Sequence, residues 1–96
     1  MQLQTPTWVI GDGALHSLSE IPGAPTACKW FQLVGDTITG IGRLGGPNIG
    51  ATAGIPVTAG TGQFNPPIAS EYDFYDLTAI YYTLAIGDRA VFACAT

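Results

Sequence analysis

Charge is what this chain has least of. Three basic and seven acidic residues are all that 96 positions carry, giving a formal net charge of −4. A typical soluble domain is charged at about a quarter of its residues. Nucleic-acid binding works by neutralising phosphates with a patch of Lys and Arg. Lys29, Arg43 and Arg89 are too few and too dispersed to make one, so no nucleic-acid partner is expected. No apolar run approaches the roughly 20 residues a membrane-spanning helix needs, so no membrane partner is expected either. Met1-Gln2-Leu3-Gln4-Thr5-Pro6 has neither a basic start nor an apolar core and does not read as a secretory signal.

Catalytic and metal-binding side chains are equally sparse. His16 is the only histidine. A general base needs a nucleophile and an orienting partner, and a zinc ion needs three or four ligands. Asp12, across the expected turn, is the candidate co-ligand, and two groups do not make a metal site, so His16 reads as a partly exposed residue of a short edge strand. Gly40-Ile41-Gly42-Arg43-Leu44-Gly45 fits the dinucleotide pattern G-x-G-x-x-G. That motif requires a helix behind the glycines and an acidic residue about 20 positions on. Here the glycines run into Gly46-Pro47-Asn48, and Gly60–Asn65 holds no carboxylate. Glu71, Asp73 and Asp76 lack the spacing and glycine of a calcium loop and read as a turn capped by its own carboxylates. Cys28 and Cys94 fall near the start of one expected strand and the end of another. A bridge between neighbouring strands is conceivable, but a reducing compartment favours two buried thiols. No cofactor, metal or catalytic residue is expected, and the chain is expected not to be an enzyme.

Glycine (13) and proline (7) are plentiful, which suits a loop-rich all-β chain of one domain over residues 1–96. Gly11-Asp12, Gly35-Asp36 and Gly87-Asp88 each separate apolar, β-prone runs. Glycine takes positive φ cheaply at the first central position of a type II′ turn, so each pair predicts a tight hairpin. Strands are expected at Thr7–Ile10 and Ala14–Leu18, joined as a hairpin, and at Cys28–Val34. Weaker ones are expected over Thr37–Arg43, Ile55–Thr58 and Gly62–Phe64. Ile68–Ile86 is the one stretch where helical spacing competes. Its aromatic and branched content favours a loop or single turn at Ser70–Asp76 and a strand at Leu77–Ala85. Arg89–Ala95 is the returning strand, with Ala90, Phe92 and Cys94 on one face.

A small domain cannot bury most of its surface. With so few charges, an isolated copy would expose large neutral or apolar areas, which monomers rarely tolerate in contiguous patches. The simplest resolution is a homo-oligomer; a surface rich in uncharged polar residues is the alternative. Aromatics on loops are better contact residues than those on strands. The candidate interface residues are therefore Tyr72, Phe74 and Tyr75, with Thr5, Pro6 and Trp8 of the N-terminal segment. Tyr81 and Tyr82 fall on alternate faces of a strand, and one or the other is assigned to the core.

Residues Ala27–Thr96 also carry a pattern of turn and strand signatures. It comprises Trp30-Phe31-Gln32, Gly45-Gly46-Pro47-Asn48, Ala51-Thr52-Ala53-Gly54-Ile55-Pro56-Val57, Ala59-Gly60 and Pro66-Pro67. It ends with Tyr75-Asp76-Leu77-Thr78-Ala79-Ile80-Tyr81 and Gly87-Asp88-Arg89-Ala90-Val91. This pattern resembles small virion proteins encoded by tailed bacteriophages and prophages. The resemblance implies a compact antiparallel β-sandwich or jelly-roll-like barrel with little helix. It implies a non-enzymatic capsid decoration (cement) protein, assembled in the host cytoplasm and bound to the major capsid protein or another virion protein. The first 26 residues fit the pattern less well, and a docking arm with a short hairpin is expected there. The alternative reading is a tail, fibre or spike-base module, or a carbohydrate-binding β-sandwich with the tyrosines as a sugar platform.

Overall fold

A computed structural model describes residues 3–4, 6–50, 53–60, 62–65 (backbone only) and 73–96. Its strands are β1 (Thr7–Ile10), β2 (His16–Ser17), β3 (Ala27–Cys28), β4 (Trp30–Thr37) and β5 (Gly42–Gly45). They continue with β6 (Ile55–Val57), β7 (Gly62–Asn65), β8 (Tyr75–Asp76), β9 (Tyr81–Thr83) and β10 (Arg89–Ala95). The only helical element among the described residues is a single 3₁₀ turn at Leu18–Glu20. One sheet has the order β1-β10-β4-β7, a second β2-β9-β5-β6, and β3 pairs with β8 alone. Every strand pair is antiparallel.

The fold is thus all-β, with two four-stranded sheets enclosing one core. The alternation of β10 explains its place at the centre of the first sheet: Ala90, Phe92 and Cys94 point inward, while Val91 and Ala93 are half-buried on the other face. Phe31, Leu33 and Gly35 of β4 do the same beside it. Leu44 of β5, Val57 of β6, and Tyr82 and Leu84 in and beyond β9 supply the opposite layer. Cys28 and Phe31 are both buried, although a continuous strand would put them on opposite faces. The chain breaks its ladder at Lys29, between β3 and β4, and that irregularity resets the phase.

The Gly-Asp pairs are not type II′ hairpins. Gly35-Asp36 lies inside β4, where the missing side chain lets Ala59 approach in a parallel bridge. At the third pair, Asp88 N–H donates to Ala85 O at 3.0 Å and Gly87 has φ 85°. Glycine therefore fills the second central position, as in a type II turn. At the first pair the positive φ falls on Gly13. β1 and β2 do not form a hairpin across it; they belong to different sheets, so residues 11–15 cross between the layers. Among the described residues of the N-terminal segment, Leu3 bridges Ala95, β1 pairs with β10, and Val9, Leu18 and Ile21 lie in the core.

The strand expected at Leu77–Ala85 shrinks to Tyr81–Thr83. Asp76 Oδ1 accepts from Thr78 N–H at 3.0 Å and from its hydroxyl, holding Leu77–Ala79 in a turn that drops Leu77 into the core. The strand expected at Thr37–Arg43 starts later, at Gly42. Asp88 is the reason: its buried carboxylate accepts from Thr39 N–H (3.1 Å), Thr39 Oγ1 (2.8 Å) and Gly40 N–H (3.1 Å). Those donors are drawn into a loop and are lost to any ladder. They also hold the Asp88 carboxyl below its ordinary range.

Candidate interaction surface

The outer face of the β1-β10-β4 sheet carries an ordered aromatic and ionic cluster. Trp8 and Ile10 alternate with inward-facing Val9, so both are exposed, at 56% and 61%. The Arg89 guanidinium lies 4.3 Å from the centroid of the Trp8 ring. It also donates through Nε (2.9 Å) and Nη2 (2.6 Å) to Asp36 Oδ2 on β4. That contact holds the Asp36 carboxyl below its ordinary range. Arg89 is thereby fixed between an indole and a carboxylate, and Trp8 gains a cation–π contact. An exposed ion pair adds little stability. What the cluster contributes is a preorganised surface in which one positive and one negative group cancel.

The sequence-derived interface residues separate in space. Pro6 and Trp8 are exposed along this sheet edge, whereas Thr5 and Tyr72 lie outside the described residues. Phe74 is exposed, with Lys29 Nζ 4.0 Å from its ring centroid, and Lys29 also donates to Asp73 O. Tyr75 is half-buried and meets Phe31 edge-on at 5.4 Å, so it closes the core. Tyr82 is buried, as expected. No local pattern marks Arg89 or Asp36, which lie 81 and 28 positions from Trp8: Arg89 reaches the Trp8 ring across the β1–β10 pair, and Asp36 reaches Arg89 across the β10–β4 pair. Leu3, Ile41, Ile55 and Ile86 are further exposed apolar side chains.

His16 sits at the start of β2 between two carboxylates. Its Nε2 lies 2.8 Å from Asp12 Oδ2 and its Nδ1 3.2 Å from Glu20 Oε1. Ionised carboxylates only accept, so both contacts are hydrogen bonds at once only when the ring is a protonated imidazolium. Its ring also stacks obliquely on Tyr82, with centroids 5.8 Å apart. The two carboxylates occupy opposite sides of the ring and do not converge on a common point, so the trio cannot share a metal ion. Among the described residues no cluster of His, Cys, Asp or Glu is placed to hold one. Glu20 was findable from sequence as the last residue of a Ser17-Leu18-Ser19-Glu20 capping box, which the structure forms.

This clip has a defined pH signature. The hydrogen bond to Asp12, then that to Glu20, raises the His16 pKa above 6.5. Asp12 is lowered by the Ala14 N–H and then His16, and Glu20 by the Ser17 N–H and then His16. A raised histidine stabilises fully below its unfolded pKa and loses that effect as pH climbs through the folded value. The lowered carboxylates stabilise above their unfolded pKa values and lose that effect as pH falls through the folded ones. The clip is therefore complete between about pH 5 and 6.5. NMR titration should place the His16 pKa above 6.5. Thermal melts should show a decline in stability from pH 6.5 to 8 that His16→Gln abolishes.

Cys28 and Cys94 are both free and buried. Burial, and then the neighbouring Cys94, push the Cys28 thiol up to about 11, and burial raises Cys94 as well. A thiol reagent at pH 7.5 should label neither cysteine in the folded chain and both after denaturation without reductant. An apolar cleft of about 230 Å³ between the sheets is lined by Phe31, Leu44, Ile55, Tyr75 and Ile80 and carries no charged side chain. The Gly40–Gly45 glycines do not form a phosphate loop. Gly42–Gly45 is β5, and a β-carbon on Gly42 would sit 2.7 Å from Leu84 Cδ2. No protein-family model, curated protein or solved structure significantly matches the chain.

Proposed function

We propose that this chain is a non-catalytic virion structural protein, a capsid decoration (cement) subunit that acts as a homo-oligomer on the major capsid protein. The observation that carries the reading is the surface. Large apolar side chains stand exposed at Leu3, Trp8, Ile10, Ile41, Phe74 and Ile86, while ionised groups are few. Such a surface suits standing contact with other subunits better than free solution. The accessible area of 5209 Å² equals the roughly 5,200 Å² of a self-contained 10 kDa monomer. The subunit then folds first and docks as a finished module. The resemblance of Ala27–Thr96 to small phage virion proteins supplies the kind of assembly.

Immunogold labelling of purified particles tests the reading. Label over the head, with a fixed copy number and heads that survive heating better when it is bound, is the expected result. Label confined to the tail, or glycan binding by the isolated chain without particle binding, would replace it.

A further inference from the structure

We propose that β1 is a self-association edge, at which a second copy pairs its own β1 antiparallel across a two-fold axis to extend the first sheet from one subunit into the next. This uses the oligomeric half of the reading above and is independent of the virion half. The phase of the ladder comes first. Gly11 N–H donates to Asp88 O at 2.7 Å, and β1 pairs with β10 in continuous register from Thr7↔Phe92 to Ile10↔Arg89. Antiparallel ladders alternate, so Val9 directs its backbone groups to β10. Trp8 and Ile10 direct theirs to the open edge of the sheet. The same two residues present exposed side chains on the outer face.

Open edges in soluble proteins are guarded by charge, proline, bulges or extreme shortness. The other described edges follow that rule. β2 has two residues and stands among Asp12, His16 and Glu20. β6 contains Pro56, and β7 runs in sequence into Pro66-Pro67. Residues 1–11 contain no charged side chain, and Pro6 lies before β1 rather than within it. β1 is the described edge left without such protection.

Charge then selects the occupant. Copies of a chain with net charge −4 repel one another over most of their surfaces. The face beside β1 holds Arg89 and Asp36, one of each sign, so it is neutral and self-complementary under a two-fold. An identical edge in antiparallel pairing is also what an isologous interface requires. The exposed parts of Leu3, Trp8 and Ile10 amount to roughly 350 Å² per copy, or about 700 Å² for two. Backbone and flanking residues need add only a few hundred more to reach the roughly 1,000–1,200 Å² of a specific interface.

Sedimentation of the full chain from about 1 to 200 µM, with hydrogen exchange at both ends of that range, tests this without any particle. A monomer–dimer equilibrium is expected, with the Trp8 and Ile10 amides exchanging slowly only in the dimer. Ile10→Lys and Trp8→Lys each set like charges across the axis and should weaken the dimer at least about 100-fold. Ile55→Lys, exposed on β6, which lies beside β7 at the opposite side of the first sheet from β1, should change it less than about 3-fold. Circular dichroism establishes that each variant folds, and the exchange result on the unaltered chain stands if one does not. A monomer at 200 µM overturns the proposal. So does an association state other than a dimer, or a dimer in which those amides exchange freely or Ile55→Lys is as disruptive as Ile10→Lys.

Discussion

Truncating Phe31 to alanine should lower the melting temperature by about 15–30 °C, corresponding to roughly 3–5 kcal/mol in a domain of this size. Phe31 is 2% exposed on β4, and its ring receives Tyr75 of β8 edge-on. Removing it deletes buried apolar surface and leaves a void that the two sheets, fixed by their ladders, cannot close. Single domains are stable by only about 5–15 kcal/mol, so this one change takes a large share. Val34, on the same strand but half-buried on the other face, supplies the contrast. Val34→Ala should cost less than about 1 kcal/mol, because little cavity forms at a face open to water. Equal losses at both positions in thermal melts would show that the inward face of β4 is not the core.

Gly35→Ala should be nearly as damaging, with a loss of at least about 3 kcal/mol from the addition of one methyl group. A β-carbon there would lie 2.2 Å from the carbonyl oxygen of Thr58 and 2.7 Å from its carbonyl carbon. Both obstacles are backbone, so no rotamer change relieves them. The chain just after β6 would have to withdraw, breaking the bridge from Gly35 to Ala59 and the 2.8 Å hydrogen bond from Gly60 N–H to Gly35 O. Gly46→Ala is the matched control, since a β-carbon there meets nothing within 4 Å. It should leave the denaturation midpoint within about 0.5 kcal/mol of the parent. A well-tolerated Gly35→Ala would mean that the two layers do not meet at this corner.

These two residues show different degrees of legibility. Phe31 sits in an alternating run of branched and aromatic side chains, and that period announces a strand whatever its partners. The same local signal placed Thr7–Ile10 and Arg89–Ala95 correctly, and Ile55–Thr58 to within one residue, since strand periodicity is carried by adjacent residues. Gly35 was legible only as a small residue beside an aspartate, which a hairpin and a close approach of two layers explain equally well. Only the position of Thr58 chooses between them. Asp88 followed the same course: a turn residue by sequence, it became a buried clamp on Thr39 and Gly40 once residues 48 and 49 positions away were folded against it.

The candidate surface divides along the same line. Scarce charge and the exposed positions of Pro6, Trp8 and Phe74 followed from composition and local pattern. Tyr75 did not, because loop aromatics and core-closing aromatics share one sequence signature, and packing on Phe31 settles which it is. By itself, the sequence determined an all-β chain with little charge, its major strands, and an apolar N-terminal strand without charged protection. The tertiary structure alone decided that β1 and β2 belong to different layers, that β1 lies at an edge, and that Arg89 lies between Trp8 and Asp36. Those facts depend on pairings between residues up to 85 positions apart, and no local preference encodes the partner across such a distance.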